Sequence, residues 1–375
     1  MENLIKVETI QDEVDDNYSN DDVFNITSWG ADLSFRELIS MYDEDELLKP
    51  ELQRNYVWDK KEASRFIESI LLGLPIPSIF LANMPDNTKL IIDGYQRIMS
   101  VYDFVQTGIF SKDNKSFNLS NTDLINERWK GKTFKELSKE EQRKIRSTTI
   151  HAIIFEQKVT KNKKQTSLFQ IFERINTSGR TLNPQEVRNC VYQGEFNKVL
   201  FDLNKYDKWR ELYGSKEEDN RMRDLEFVLR FFAMSDFNFK EKETGQISLK
   251  KYLNEYMGAC QESSLDNKSK DFKETIDFIY KNLGKNAFNN INVKKDFIER
   301  FHPTIFDAIT TATSLGLKNH ALYTLPIVNI KQKQIQLLEN EIFKDAISQR
   351  TTNIEKIKVR IRLAGYYLYN INLDI

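Results

Sequence analysis

Behind the capping signal Asp59 and Glu62, the apolar residues Ala63, Phe66, Ile67, Ile70, Leu71 and Leu74 recur at helical spacing. The pattern predicts an amphipathic helix stopped at Gly73. Pro75-Ile76-Pro77 cannot continue it, and Ser78 to Ala82 and Leu90 to Asp93 read as two short strands around the turn Pro85-Asp86-Asn87. Gly94 breaks the second strand. Ile98, Val101, Tyr102 and Val105 then mark a helix that runs to Gly108, and Thr148 to Phe155 reads as a third strand after a polar insertion.

Other segments give clear start signals. Ser34 with Glu37 opens a short helix ending near Met41, and Leu47 to Trp58 reads as extended chain interrupted by Pro50. Gln165 to Ile175 predicts a helix broken at Asn176-Thr177-Ser178-Gly179. Asn183 as cap, Pro184 at the first helical position and Glu186 then open the next one, which ends near Gly194. From about residue 200 the helical period dominates, in Leu225 to Met234, Phe272 to Leu283 and Ile354 to Tyr369. The expected class is α+β: residues 31–195 as a mixed domain that binds an anion or nucleotide, residues 196–375 as a mostly helical domain, and residues 1–30 as an acidic, flexible lead-in.

Composition narrows the function classes. The formal net charge of -1 hides an asymmetry, since residues 1–48 hold 14 Asp/Glu against 2 Lys/Arg and the remainder holds 42 against 53. A basic body suits a phosphate-bearing partner, and a solvated mixed-charge surface is the plainer reading. Cys190 and Cys260 alone exclude a disulfide framework and a four-cysteine zinc site, and fit a reducing cytoplasm. No basic-then-apolar leader and no long apolar run suggest secretion or a membrane.

Three constellations could carry chemistry. In Leu90-Ile91-Ile92-Asp93-Gly94-Tyr95-Gln96-Arg97 an apolar strand passes through glycine into a helix, whose first amides and dipole attract anions. Glycine lets the backbone approach a phosphate, Arg97 adds a permanently charged fork, and Asp93 could hold Mg²⁺ or polarise a water. The plainer alternative has Asp93 capping the helix and Arg97 pairing with it. In Gln53-Arg54-Asn55-Tyr56-Val57-Trp58 polar groups alternate with aromatics, which suits a ligand edge or a salt-bridged surface strand. In Phe172 to Asn183 a helix ends in a turn rich in side-chain donors, able to close over phosphate or to serve as an ordinary helix–turn–helix.

Together with Gly73-Leu74-Pro75-Ile76-Pro77, these boxes resemble, in order and wording, the bacterial family of the GmrSD restriction endonuclease N-terminal domain. Its members carry Gln-Arg-x-Tyr-x-Trp, Gly-x-Pro-x-Pro, Asp-Gly-Gln-Gln-Arg and Ile-Asn-Thr-x-Gly-x-x-Leu-Asn-x-x-Glu boxes. Tyr95 departs from the pattern, standing where the family has its first glutamine. The resemblance implies a ParB/sulfiredoxin-like fold and nucleotide binding or hydrolysis in a component of an anti-phage or restriction-type system. Asp93, Gln96 and Arg97 would then stand at the phosphates, with Mg²⁺ on Asp93. Gln53, Arg54, Tyr56, Gly94, Tyr95, Asn176, Thr177, Gly179 and Asn183 would line the nucleoside triphosphate. The implied partners are DNA, a separate nuclease or defence-system protein, or a second copy. A non-catalytic DNA- or partner-binding protein is the alternative. His151, His302 and His320 form no HNH-like cluster, and His302-Pro303 reads as a helix boundary.

Overall fold

The computed structural model describes residues 7–14, 26–49, 58–84, 86–157, 171, 183–192, 194–219, 221–239, 241, 244–260, 265–320, 322 and 329–375. Its local frame is set by reciprocal caps. Ser34 Oγ accepts from the Glu37 amide at 3.2 Å while Glu37 Oε2 accepts from the Ser34 amide at 2.7 Å, turning β1 (Ile26–Ser34) into α1 (Phe35–Asp43). A two-residue strand β2 (Leu47–Leu48) follows. Asp59 and Glu62 repeat the device at the start of α2 (Lys60–Leu72), and Gly73 ends it with a φ of 78°.

Strands β3 (Ile79–Asn83) and β4 (Lys89–Asp93) pair antiparallel, and α3 (Tyr95–Tyr102) leaves β4 through Gly94, continuing as a wider turn over Asp103–Thr107. After α4 (Lys139–Ser147), β5 (Thr149–Gln157) completes a five-stranded mixed sheet in the order β1-β5-β3-β4-β2. Register puts Ala31 and Leu33 of β1 opposite Ala152 and Ile150, and Ile79 and Leu81 of β3 beside Ala152 and Ile154. This face meets Phe35 and Leu38 of α1, Ile67 and Ile70 of α2, and Ile98 and Val101 of α3 in one core.

Two features depart from the sequence expectation. The edge strand β1 was not anticipated, although Trp29, Ala31 and Leu33 do alternate with Ser28, Gly30 and Asp32. The stretch expected to be a polar insertion contributes buried Phe110, Phe117, Leu119, Trp129 and Phe134 to the core, with Phe104 edge-on to both Phe117 and Phe134.

Backbone contacts divide the chain into two units: Asn20–Leu182 with Asn189–Val191, and Met1–Ser19 with Asn183–Arg188 and Tyr192–Ile375. The helix α5 (Pro184–Val191) is opened by Asn183 and Glu186, as their spacing predicts. The second unit contains α6 (Glu195–Asn204), α7 (Asp207–Tyr213), α8 (Arg223–Ser235), α9 (Leu249–Ala259) and α10 (Leu265–Leu283). A hairpin of β6 (Asn289–Ile291) and β7 (Phe297–Phe301) precedes the buried helix α11 (Pro303–Lys318). Then come α12 (Ile330–Glu339), α13 (Glu341–Ser348) and α14 (Ile354–Ala364). The α+β class and the helical C-terminal region agree with the sequence reading. No described helix is long and apolar enough to cross a membrane.

Part of the acidic stretch 1–30 is described. Residues 7–14 belong to the helical unit, where the carboxylate of Glu13 meets the guanidinium of Arg230.

His302 stands at the start of α11, buried, with its Nδ1 3.1 Å from Thr304 Oγ1. Burial pushes the imidazole down to about 4; the nearby charges of Glu8 and Asp307 oppose this, while those of Arg360 and Arg300 reinforce it. Since the folded value lies below the ordinary one, the unfolded chain takes up this proton first as pH falls. Stability is therefore lost between the ordinary value and about 4. Between about pH 7 and about pH 4.5 this group should cost roughly 2 kcal/mol. The urea midpoint of His302→Gln should fall less over that interval than that of the unaltered chain, and parallel curves would refute the assignment.

Candidate functional site

Strand β4 ends at Asp93 and the chain reverses at Gly94, whose φ is 101°. A Cβ on Gly94 would lie 2.3 Å from Ile79 Cγ2, so the glycine is required by the passage of β4 over the start of β3. Close packing on Ile79, rather than access for a phosphate, accounts for Gly94. The Gly94 carbonyl accepts from the Ile98 amide at 3.0 Å, and no side chain caps the start of α3. Asp93 therefore does not cap the helix.

Arg97, in the first turn of α3, donates through Nη1 to the carbonyls of Pro77 and Ser78 at 2.9 and 2.6 Å, and through Nη2 to Asp93 Oδ2 at 2.6 Å. Its side chain is 14% exposed against 37% for Asp93. The guanidinium thus fastens the Pro75–Pro77 corner to the end of β4, which is the strut geometry rather than that of an arginine facing solvent. Asp93 Oδ2 is committed to this pair, and among the described residues Oδ1 has no partner.

Gln96 turns the other way. Its Oε1 accepts from the Trp58 amide at 3.2 Å, and Trp58 also receives Lys112 Nζ on its carbonyl at 3.3 Å while its ring stands edge-on to Phe66 at 5.7 Å. Arg97 thereby joins the Gly73 to Pro77 turn to Asp93, while Gln96 ties Trp58, the described end of Gln53 to Trp58, to the start of α3. Tyr95 does not join the candidate ligand shell. It is buried in the core, where desolvation pushes its hydroxyl well above the ordinary tyrosine range.

Of the remaining predicted residues, Gln53, Arg54, Tyr56, Asn176, Thr177 and Gly179 lie outside the described residues. Asn183 groups with the helical unit and is accounted for by its cap: Oδ1 accepts from the Glu186 amide at 2.9 Å, and Nδ2 donates to the Arg221 carbonyl.

Sequence reasoning passed over two features of the sheet unit. Phe80, the register partner of Asp93, stacks on Phe155 with centroids 6.0 Å apart and planes 14° from parallel, and both rings are half-buried. Their signal was the aromatic on each of two adjacent strands at the same facing parity. An open cavity of about 300 Å³ is lined by Arg36, Ser40, Asp43, Gln106 and Arg146 among others. There Asp43 accepts from the Tyr102 hydroxyl and from Gln106 Nε2, and the Arg146 guanidinium lies 5.1 Å over the Phe134 ring. Among the described residues Arg36 has no ion-pair partner. The polar faces of two capped helices were the available signal for this cavity.

Residues 35–193 match the family model of the GmrSD restriction endonuclease, N-terminal domain. The match begins with α1, includes the Gln53 to Trp58 box, the Gly94 corner and Asn183, and covers less than half of the chain. No curated protein matches it.

Arg97→Ala should strip three acceptors of their donor and leave Asp93 half-buried without a counter-charge. We expect a stability loss of about 2 kcal/mol and a fall in melting temperature of roughly 4–8 °C. Arg97→Lys, which keeps the charge but not the fork, should fall between. A melting temperature unchanged in Arg97→Ala would show that the guanidinium does not hold the corner.

Proposed function

We propose that the chain is a nucleotide-binding component of a restriction-type DNA defence system, with the triphosphate at the Asp93–Arg97 corner. The observation that carries this reading is a half-exposed carboxylate, Asp93, held through one oxygen by Arg97 beside an uncapped helix start, with Gln96 of the same turn tied to Trp58. The family match supplies the restriction-type context.

In this reading Asp93 presents Oδ1 to a nucleotide-borne Mg²⁺, with Oδ2 held in place by Arg97. Among the described residues no group of three His, Cys, Asp or Glu could hold a metal. One open carboxylate oxygen fits Mg²⁺ nonetheless, because that ion is commonly held by one or two carboxylates, its waters and the substrate phosphates. The ion would neutralise charge on the phosphates. The start of α3, free of a side-chain cap, directs its dipole at the same corner. Gln96 holds Trp58, and the Phe80–Phe155 pair offers a surface on which a base can stack. Hydrolysis would follow from orienting a water against the terminal phosphate.

A second reading, a binding protein for DNA without turnover, is favoured by Arg36 and Arg146 in the open cavity. Salt-sensitive DNA retention lost in Arg36→Ala would mark it.

Thermal-shift titration with each nucleoside triphosphate, with and without Mg²⁺, tests the first reading. A ligand at about 100 times its Kd should stabilise the fold by about 2.7 kcal/mol. The stabilisation should require Mg²⁺ and weaken at least about tenfold in Asp93→Asn, which keeps the size and an acceptor for Arg97 but removes the charge. No Mg²⁺-dependent shift with any triphosphate, or an equal shift in Asp93→Asn, would defeat it.

A further inference from the structure

The helical unit carries a buried charge arrangement that the corner at Asp93 does not use. Arg230 of α8, Asp307 of α11 and Arg360 of α14 lie together, each side chain at most 2% exposed. Arg230 donates to both oxygens of Asp307, and Arg360 Nη2 reaches Asp307 Oδ2 at 3.4 Å. Arg360 Nη1 is held by the Thr351 carbonyl at 2.7 Å, while its Nε has no hydrogen-bond partner. Two guanidiniums against one carboxylate leave a surplus positive charge out of water, which is costly unless a further anion is supplied.

Glu13 supplies it from 217 residues away. Its Oε2 and Oε1 accept from Arg230 Nη1 and Nη2 at 2.7 and 3.0 Å, a two-pronged pair. The rest of residues 7–14 is seated along the end of β7. Val7 bridges Phe301 in parallel, the Glu8 amide donates to the Phe301 carbonyl at 2.8 Å, Glu8 Oε2 accepts from Arg300 Nη1 at 2.7 Å, and Ile10 is buried. The helical turn Gln11–Val14 has four residues, too short to persist by itself. The receiving side, by contrast, is fixed by three packed helices and the end of β7.

We propose that residues 7–14 are a detachable acidic strap seated in a receptor groove, and that the groove accepts in its place an acidic segment of a partner protein. The chemistry of that segment follows from the contacts. An extended stretch pairs along Phe301, a carboxylate meets Arg300, an apolar residue fills the place of Ile10, and a second carboxylate three residues later meets Arg230. Charge complementarity selects the occupant: the strap's two paired carboxylates meet Arg230 and Arg300, and without Glu13 the buried Arg230 and Arg360 are left with Asp307 alone. A strap of this kind opens locally without unfolding the helices beneath it.

The test uses the full chain carrying Glu13→Gln, which weakens the strap, and as probe a synthetic peptide of residues 5–17. The peptide should bind this chain, and the same peptide with Gln in place of its Glu13 should bind at least about tenfold more weakly, the loss expected for a charge-assisted pair. Equal affinity of the two peptides, or no binding to a folded Glu13→Gln chain, overturns the proposal. So does a concentration-dependent dimer of that chain that leaves no site for the peptide, since the occupant would then be the strap of a second copy. Should Glu13→Gln fail to fold, hydrogen exchange on the unaltered chain decides. Amides of residues 8–14 should exchange well ahead of those of α11 and faster still with excess peptide, whereas exchange of both only together would show that the strap does not detach.

Discussion

With a φ of 101° and Ile79 Cγ2 only 2.3 Å from where its Cβ would stand, Gly94 permits one path for the chain, out of β4 and across the first residue of β3. The consequences spread from that reversal. Asp93 is left as the last strand residue and Arg97 one helical turn later, at the spacing where an i, i+4 pair can close. The same guanidinium then reaches the carbonyls of Pro77 and Ser78, the residues leading into β3, so the corner is braced from both strands. Gln96, pointing elsewhere from the same turn, fixes Trp58 ahead of α2. One backbone conformation thus sets the start of α3, from which Arg97 braces Pro77, Ser78 and Asp93 and Gln96 holds Trp58.

The two units treat charge in different ways. In the sheet unit the Asp93–Arg97 pair stays partly exposed, where solvent screening makes the ion pair itself worth little and its hydrogen bonds to backbone matter more. The helical unit buries Arg210 with Asp224 and Arg230 with Asp307, and sets the buried Arg188 against the half-buried Glu226. Replacing such pairs with apolar residues of similar volume is often harmless to stability, but removing one partner is not, because the other is left charged and dry. These pairs therefore constrain which helices lie together. Glu13 extends the same logic to a short segment that no large apolar surface holds.

Legibility in the sequence followed the range of the interactions. Ser34 with Glu37, Asp59 with Glu62 and Asn183 with Glu186 are caps closed within three residues, and each marked its helix correctly. The Asp93-Gly94 break was readable because a strand period meets a helix period there. Strand β1 was missed although it alternates, since Gly30 and Asp32 look like turn residues. Their reason is remote: the His151 ring occupies the space a Cβ on Gly30 would need, and Asp32 faces that ring at 2.8 Å. The burial of Tyr95 was equally unreadable, since it depends on the shared core of helices and sheet rather than on its neighbours in sequence. The pairing of Glu13 with Arg230 had no local signature, and an acidic run with no visible partner reads as solvated chain.

The role of Arg97 bears on how a nucleotide could be held at the corner. An arginine with Nη1 on two carbonyls and Nη2 on a carboxylate has three of its five donors committed to bracing β3 and β4. Together Asp93 and Arg97 carry no net charge, and the oxygen of Asp93 that remains open repels a bare phosphate. Attraction must then come from the amides and dipole at the start of α3 and from a cation between Asp93 and the ligand. Mg²⁺ is consequently a requirement of the nucleotide reading at this corner and not an accessory to it. Arg97 acts at one remove, holding one oxygen of Asp93 so that the other is presented in a fixed direction.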